Sequence, residues 1–161
     1  MKWLKYSFLL ALPLSAEVFG PLEYELPKLE KEWHRLYERD QTLVYTFQND
    51  GSTFFALHRT TTTSNIDDFE GFKKGYQSFY PEGEIEMQSI QREDNFLIFE
   101  WTVLVNGEEK IHSFGKTYAL PEETLLAIFQ TENIKAVAEV RPKIIESLKG
   151  IKWVCSIGTN Q

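Results

Sequence analysis

Apolar residues along this chain recur at two periods, and the switches between them outline the elements. A period of two, rich in β-branched and aromatic residues, predicts strands over Thr42 to Phe47 and Thr53 to Arg59, separated by Gln48-Asn49-Asp50-Gly51-Ser52. Asn, Asp and Gly supply the backbone angles that such a hairpin turn needs. From Ser64 or Asn65, either able to cap a helix, the period becomes three to four, with Ile66, Phe69, Phe72, Tyr76, Phe79 and Tyr80 on one face and Pro81 ending the run. Gly71 and Gly75, four apart in that run, suggest close approach to a sheet. Two strands follow, Glu84 to Arg92 and Phe96 to Val105, joined by Glu93-Asp94-Asn95. Both faces of Phe96 to Val105 are largely apolar, the pattern of a strand covered on both sides.

Asn106-Gly107 is the strongest hairpin signal in the chain. A two-residue turn there opposes Val105 to Glu108, and an unbroken register then sets Trp101 against His112, Phe99 against Phe114 and Glu100 against Ser113. Thr124 to Gln130 reads as a further strand, although Pro121-Glu122-Glu123 could open a short helix. Ile134, Val137, Ala138, Ile144, Ile145 and Leu148 restore helical spacing up to Lys149 and a C-cap glycine, Gly150. Pro142 falls inside this run and implies either a kink or a helix that starts there. The stretch from Leu29 to Tyr37 fits a helical face and an alternating strand equally well. Residues 17 to 28, with Pro21 and Pro27, read as an extended lead-in.

The first sixteen residues stand apart: Lys2 and Lys5, an apolar stretch from Tyr6 to Leu14, then Ser15-Ala16. This is the signature of a secretory signal peptide. The stretch is about half the ~20 residues that span a bilayer. The expected organisation is a signal peptide over 1–16 and one globular α+β domain over 17–161. Cleavage after Ala16 leaves 145 of the 161 residues and, with Lys2 and Lys5 gone, takes the formal charge from −7 to −9. An acidic domain with no basic run argues against nucleic acid and anionic lipid, and for basic or neutral protein partners. Export predicts a periplasmic or secreted location at a bacterial cell envelope, with no stable membrane insertion after signal removal. The single cysteine, Cys155, forms no internal disulfide and is expected to be a buried, inert thiol.

Little chemistry is visible. His34, His58 and His112 lack the spacing of a helical zinc pair, there is no cysteine cluster, and no glycine-rich loop joins a strand to a helix. No catalytic, cofactor or metal residue is assigned. Glu100 is an acid in the most apolar strand, where burial would raise its pKa and suit a proton carrier, whereas hydration or pairing would make it structural. The Trp101 and His112 pair has the composition of a ligand floor, or of an ordinary cross-strand contact.

The order of elements, the Leu26-Pro27 and Trp33 entry and the Ile145 to Lys149 ending resemble the PsbP-like α/β/α sandwich over roughly residues 22 to 155. That fold is shared by photosystem II extrinsic subunits, a Ran-binding nuclear import factor and many small exported bacterial proteins. The resemblance implies a mostly antiparallel sheet of about six strands with helices packed on both faces. It also implies a non-catalytic accessory role without cofactor, docking on a larger protein complex as a monomer or weak dimer. Two other readings compete. One is a small hydrolase using Glu100 with His112 or His58. The other is an acidic secretion chaperone, which needs a helix over Leu29 to Tyr37.

Overall fold

The computed structural model describes residues 17–29, 32–39, 41–47, 52–61 and 69–154. The signal segment, the Asn49 to Gly51 turn, the Ser64 and Asn65 cap and Cys155 lie outside the described residues. The chain runs β1 (Glu17–Phe19), β2 (Leu22–Tyr24), β3 (Trp33–Arg39), β4 (Thr42–Phe47), β5 (Thr53–Thr60), α1 (Phe69–Gln77), β6 (Glu84–Arg92), β7 (Phe96–Val105), β8 (Glu108–Ala119), β9 (Thr124–Thr131), a short 3-10 turn (Ile134–Ala136), α2 (Val137–Gly150) and β10 (Lys152–Trp153).

Seven strands form one antiparallel sheet in the order β3-β4-β5-β9-β8-β7-β6, and β1-β2-β10 form a second, smaller sheet. The count of about six strands is therefore low: Trp33 to Tyr37 of the ambiguous Leu29 to Tyr37 stretch are strand, in β3, and the extended lead-in pairs into β1 and β2. The chaperone reading loses the helix it required.

Directly opposed residues of antiparallel strands share a face, so the register sorts every side chain. One face carries the row Arg35, Tyr45, Phe55, Phe129, Phe114, Glu100. Its apolar members form a core with Val137, Ile144 and Leu148 of α2 and with Phe19, Leu22 and Tyr24 of the small sheet. On the other face Phe99 and Trp101 lie under α1, whose Phe72 ring centroid is 4.8 Å from that of Phe99 and 5.7 Å from that of Trp101. Gly115 makes room for Phe99, since a β-carbon there would sit 2.6 Å from Phe99 Cζ. Gly75 faces open space, so the expected close approach of the helix to the sheet at that glycine does not occur.

Asn106 and Gly107 take positive φ (55° and 77°), and Val105 opposes Glu108 as expected. The register then slips by one, because Leu104 opposes Glu109 while Val103 opposes Ile111, leaving Lys110 as the extra residue of a β-bulge. His112 accordingly faces Thr102, Ser113 faces Trp101 and Phe114 faces Glu100. The expected Trp101 and His112 pair does not form.

Helix α2 runs through Pro142 instead of starting there. Gly150 is not the left-handed cap that its position suggests, for positive φ among the described glycines is confined to Gly20 and Gly107. The helix end is capped from the sheet: Lys116 Nζ donates to the carbonyls of Ile151 (2.8 Å) and Lys149 (3.5 Å).

Candidate functional site

A one-residue slip moves a side chain to the opposite face of a strand. The bulge at Lys110 does this to His112 and brings it onto the same face as Glu100. His112 Nε2 lies 2.6 Å from Glu100 Oε1, and its Nδ1 meets Glu109 Oε1. Glu100, only 5% exposed, also accepts from Arg141 (Nη2 to Oε2 2.7 Å, Nε to Oε2 3.2 Å) and from Gln88 Nε2 (3.0 Å). Three side chains, from β6, β8 and α2, thus converge on the one carboxylate of β7. The two carboxylates flanking the imidazole accept only, so both contacts are hydrogen bonds when both ring nitrogens carry protons.

Arg141 is the cluster member that the sequence reading did not single out. It is four residues after Val137 and three before Ile144, on the stripe that α2 turns to the sheet, so a cation occupies a position its neighbours fill with apolar side chains. That misfit in an otherwise apolar stripe was the available signal.

Burial works to raise the Glu100 pKa, but the hydrogen bonds from Arg141, His112 and Gln88 and the Arg141 charge more than offset it and hold the carboxyl below its ordinary range. This environment opposes the raised pKa that the proton-carrier reading of Glu100 needs and favours the paired, structural alternative. Beside it, Glu86, Gln88, Glu100, Thr102 and His112 line a cavity of about 210 Å³, smaller than the ~300 Å³ at which small-molecule sites usually begin. Of the two alternative partners, His112 meets Glu100, and His58 lies on the opposite face, exposed, with Nδ1 2.8 Å from Thr42 Oγ1. Ser113 also points to that opposite face, where it donates to Gln130 Oε1. Among the described residues the His112 nitrogens meet Glu100 and Glu109 and no serine. Among the described residues no group of three or more His, Cys, Asp or Glu is placed to hold a metal ion.

A second polar cluster sits at the far end of the same row. Tyr24 and Tyr45 hydroxyls both donate to Glu17 Oε2 (2.9 and 2.5 Å), and Arg35 Nη2 approaches that oxygen at 3.5 Å. The Tyr45 hydrogen bond is the main reason that the Glu17 carboxyl is held below its usual range. Burial pushes both tyrosines up. A third is Lys116, 3% exposed and flanked by the rings of Phe96 and Tyr118, whose ammonium burial lowers to a pKa of about 8.

No family model matches the sequence, and no curated protein matches it either. The fold does have a solved counterpart. The solution structure of cyanobacterial PsbP (CyanoP) from Synechocystis sp. PCC 6803 superposes with a TM-score of 0.62 over 83% of this chain and 86% of that one, at 9% sequence identity. The chain has a PsbP-like fold. Among the described residues no helix is long and apolar enough to cross a membrane.

Proposed function

We propose that this PsbP-like domain is an exported, non-catalytic accessory protein that docks on a larger protein complex of the cell envelope. The observation that carries the reading is the closure of the Glu100 cluster. Both oxygens of its carboxylate are taken, its carboxyl is held as an anion, and both imidazole nitrogens of His112 face carboxylates. A general base needs a free lone pair and a pKa near the working pH. This cluster uses its polar atoms to hold α2 on the sheet. The fold supports the same reading by analogy alone.

The hydrolase reading retains one favourable observation, the Glu100 to His112 hydrogen bond beside a cavity. One experiment separates the two. Tagged protein is captured from an envelope extract, its N-terminus is sequenced, and the same preparation is assayed against aryl ester and glycoside substrates. The accessory reading expects an N-terminus at Glu17, a partner enriched over a scrambled-surface control, and no turnover. Turnover that Glu100→Gln abolishes, or an intact Met1 with no enriched partner, overturns it.

A further inference from the structure

Among the described residues the two faces of the large sheet are covered unequally. Seven strands at ~4.8 Å spacing make a surface roughly 30 Å across, whereas a helix with its side chains is roughly 10 Å wide and covers two or three strands. On the face that bears Phe99 and Trp101, α1 occupies the β6–β7–β8 side. On the β3–β4–β5 side of that face, Tyr37, Val44 and Ala56 stand opposite one another in a single row, with Phe54 in the next. These four belong to neither apolar cluster, Tyr37 is 42% exposed, and the other three are half-buried.

The row next to this patch carries a cation although the whole chain is acidic. Two residues along each strand, roughly 7 Å away, Arg39, Thr42 and His58 form the next row. Arg39 and His58 are exposed; Arg39 lies over the Tyr37 ring at 5.8 Å and makes no ion pair among the described residues. The acid within β3, β4, β5 and β9 is Glu38, which opposes Leu43 and so points to the other face. An acidic protein of net charge −7 therefore keeps an apolar strip bordered by the Arg39 guanidinium and the His58 imidazole, free of carboxylates from those strands. Addition of a strand at the β3 edge is a poorer fit, because β3 is bulged between Arg35 and Tyr37 and lined with charges.

We propose that this half-face binds an amphipathic α-helix of a partner protein, with the apolar stripe of that helix on Tyr37, Val44, Phe54 and Ala56 and its acidic flank on Arg39 and His58. Among the described residues the width left beside α1 is about one helix, and helix-in-groove docking uses this combination of an apolar strip and a charged border. The proposal rests on the accessory reading and names the surface that would serve it.

The test uses the isotope-labelled full chain and two synthetic 18-residue helical peptides with the same leucine stripe, one flanked by glutamates and one by lysines. The glutamate peptide should shift backbone amides of β3, β4 and β5 and bind at least tenfold tighter than the lysine peptide. Ala56→Arg should weaken it tenfold or more. If that variant does not fold, the exposed pair Arg39→Glu and His58→Glu carries the test and should reverse the preference. Equal affinity for the two peptides, shifts confined to α2, no binding, or β3–β5 shifts produced by phosphatidylglycerol vesicles and not by peptide would each overturn the proposal. A partner whose capture from extract survives the charge reversal leaves the accessory reading standing and removes this site. Peptide binding without any captured partner does the reverse.

Discussion

At one end of the row that runs Arg35, Tyr45, Phe55, Phe129, Phe114, Glu100, the anion belongs to the sheet and the layer above supplies a cation. At the other end the anion, Glu17, belongs to the layer above, and the sheet supplies Tyr45 and Arg35. Three phenyl rings between them form the apolar floor on which that layer rests. The ends differ in burial as well as in direction. The Glu100 side chain is 6% exposed and that of Glu17 is 46% exposed. A deeply buried carboxylate cannot turn to water when a partner is lost, whereas a half-exposed one can. The first end should therefore be stability-critical and unforgiving, and the second replaceable.

The strongest way to break that comparison is Arg141→Met. Removing the guanidinium leaves Glu100 buried with only His112 and Gln88, and should cost about 3 kcal/mol in urea unfolding. Glu100→Gln should cost less, about 1–2 kcal/mol, because the Arg141 side chain is 43% exposed and can take up water in place of the carboxylate. The sign against pH follows from the lowered carboxyl. Its contribution is present above the ordinary carboxylate pKa and is lost as pH falls through the folded value. The acid limb of the stability profile should shrink in Glu100→Gln. If Glu100→Gln costs more than Arg141→Met, the carboxylate is not the strained partner and the comparison fails.

How much of this was legible beforehand depended on whether a residue's meaning was local. Glu100 stood out as an acid in an apolar run, and Asn106-Gly107 announced its turn, because both signals lie within a few residues. The pairing of Glu100 with His112 was among the readings, but the cross-strand neighbour of Glu100 was misassigned, since the bulge at Lys110 has no comparable signature and one extra residue carries His112 to the other face. Glu17 and Tyr45 are 28 positions apart, and nothing in an extended lead-in says that its first residue will meet a tyrosine of a later strand. Likewise Gly150 looked like a helix cap, but the carbonyls there are satisfied by Lys116, 35 positions from Ile151. Long-range polar pairing replaced the local rule in each case.

Lys116 is a third tie between the sheet and its cover, and it has no carboxylate partner among the described residues, which sharpens the comparison in the opposite direction of pH. Burial lowers it from 10.5 to about 8, so between those values the unfolded chain binds a proton that the folded chain does not. Stability should accordingly rise with pH across that window, by up to roughly 3 kcal/mol, a little over 1 kcal/mol for each unit of pH. Above about pH 10 the raised tyrosines, Tyr24, Tyr45, Tyr76 and Tyr118, reverse the trend, since the folded state then holds protons that the unfolded chain releases. Unfolding midpoints measured from pH 7 to 11 should pass through a maximum, and Lys116→Met should flatten the rising limb. A rising limb that persists unchanged in Lys116→Met would assign it to other groups.

The smallest effect belongs to the exposed end. Tyr45→Phe keeps the ring in the Phe55 row and removes one hydroxyl, leaving Glu17 with Tyr24 and Arg35 and access to solvent. One hydrogen bond of this kind contributes about 1 kcal/mol. The Tyr45 bond is the largest influence lowering the Glu17 carboxyl, so the variant should move that group back toward its ordinary value in a side-chain NMR titration while leaving Glu100 where it is. The two ends share a sheet row but no polar atom, and three rings separate them. A loss of 3 kcal/mol or more on Tyr45→Phe, or a concurrent shift at Glu100, would mean that the row transmits strain between its ends and that burial is not what distinguishes them.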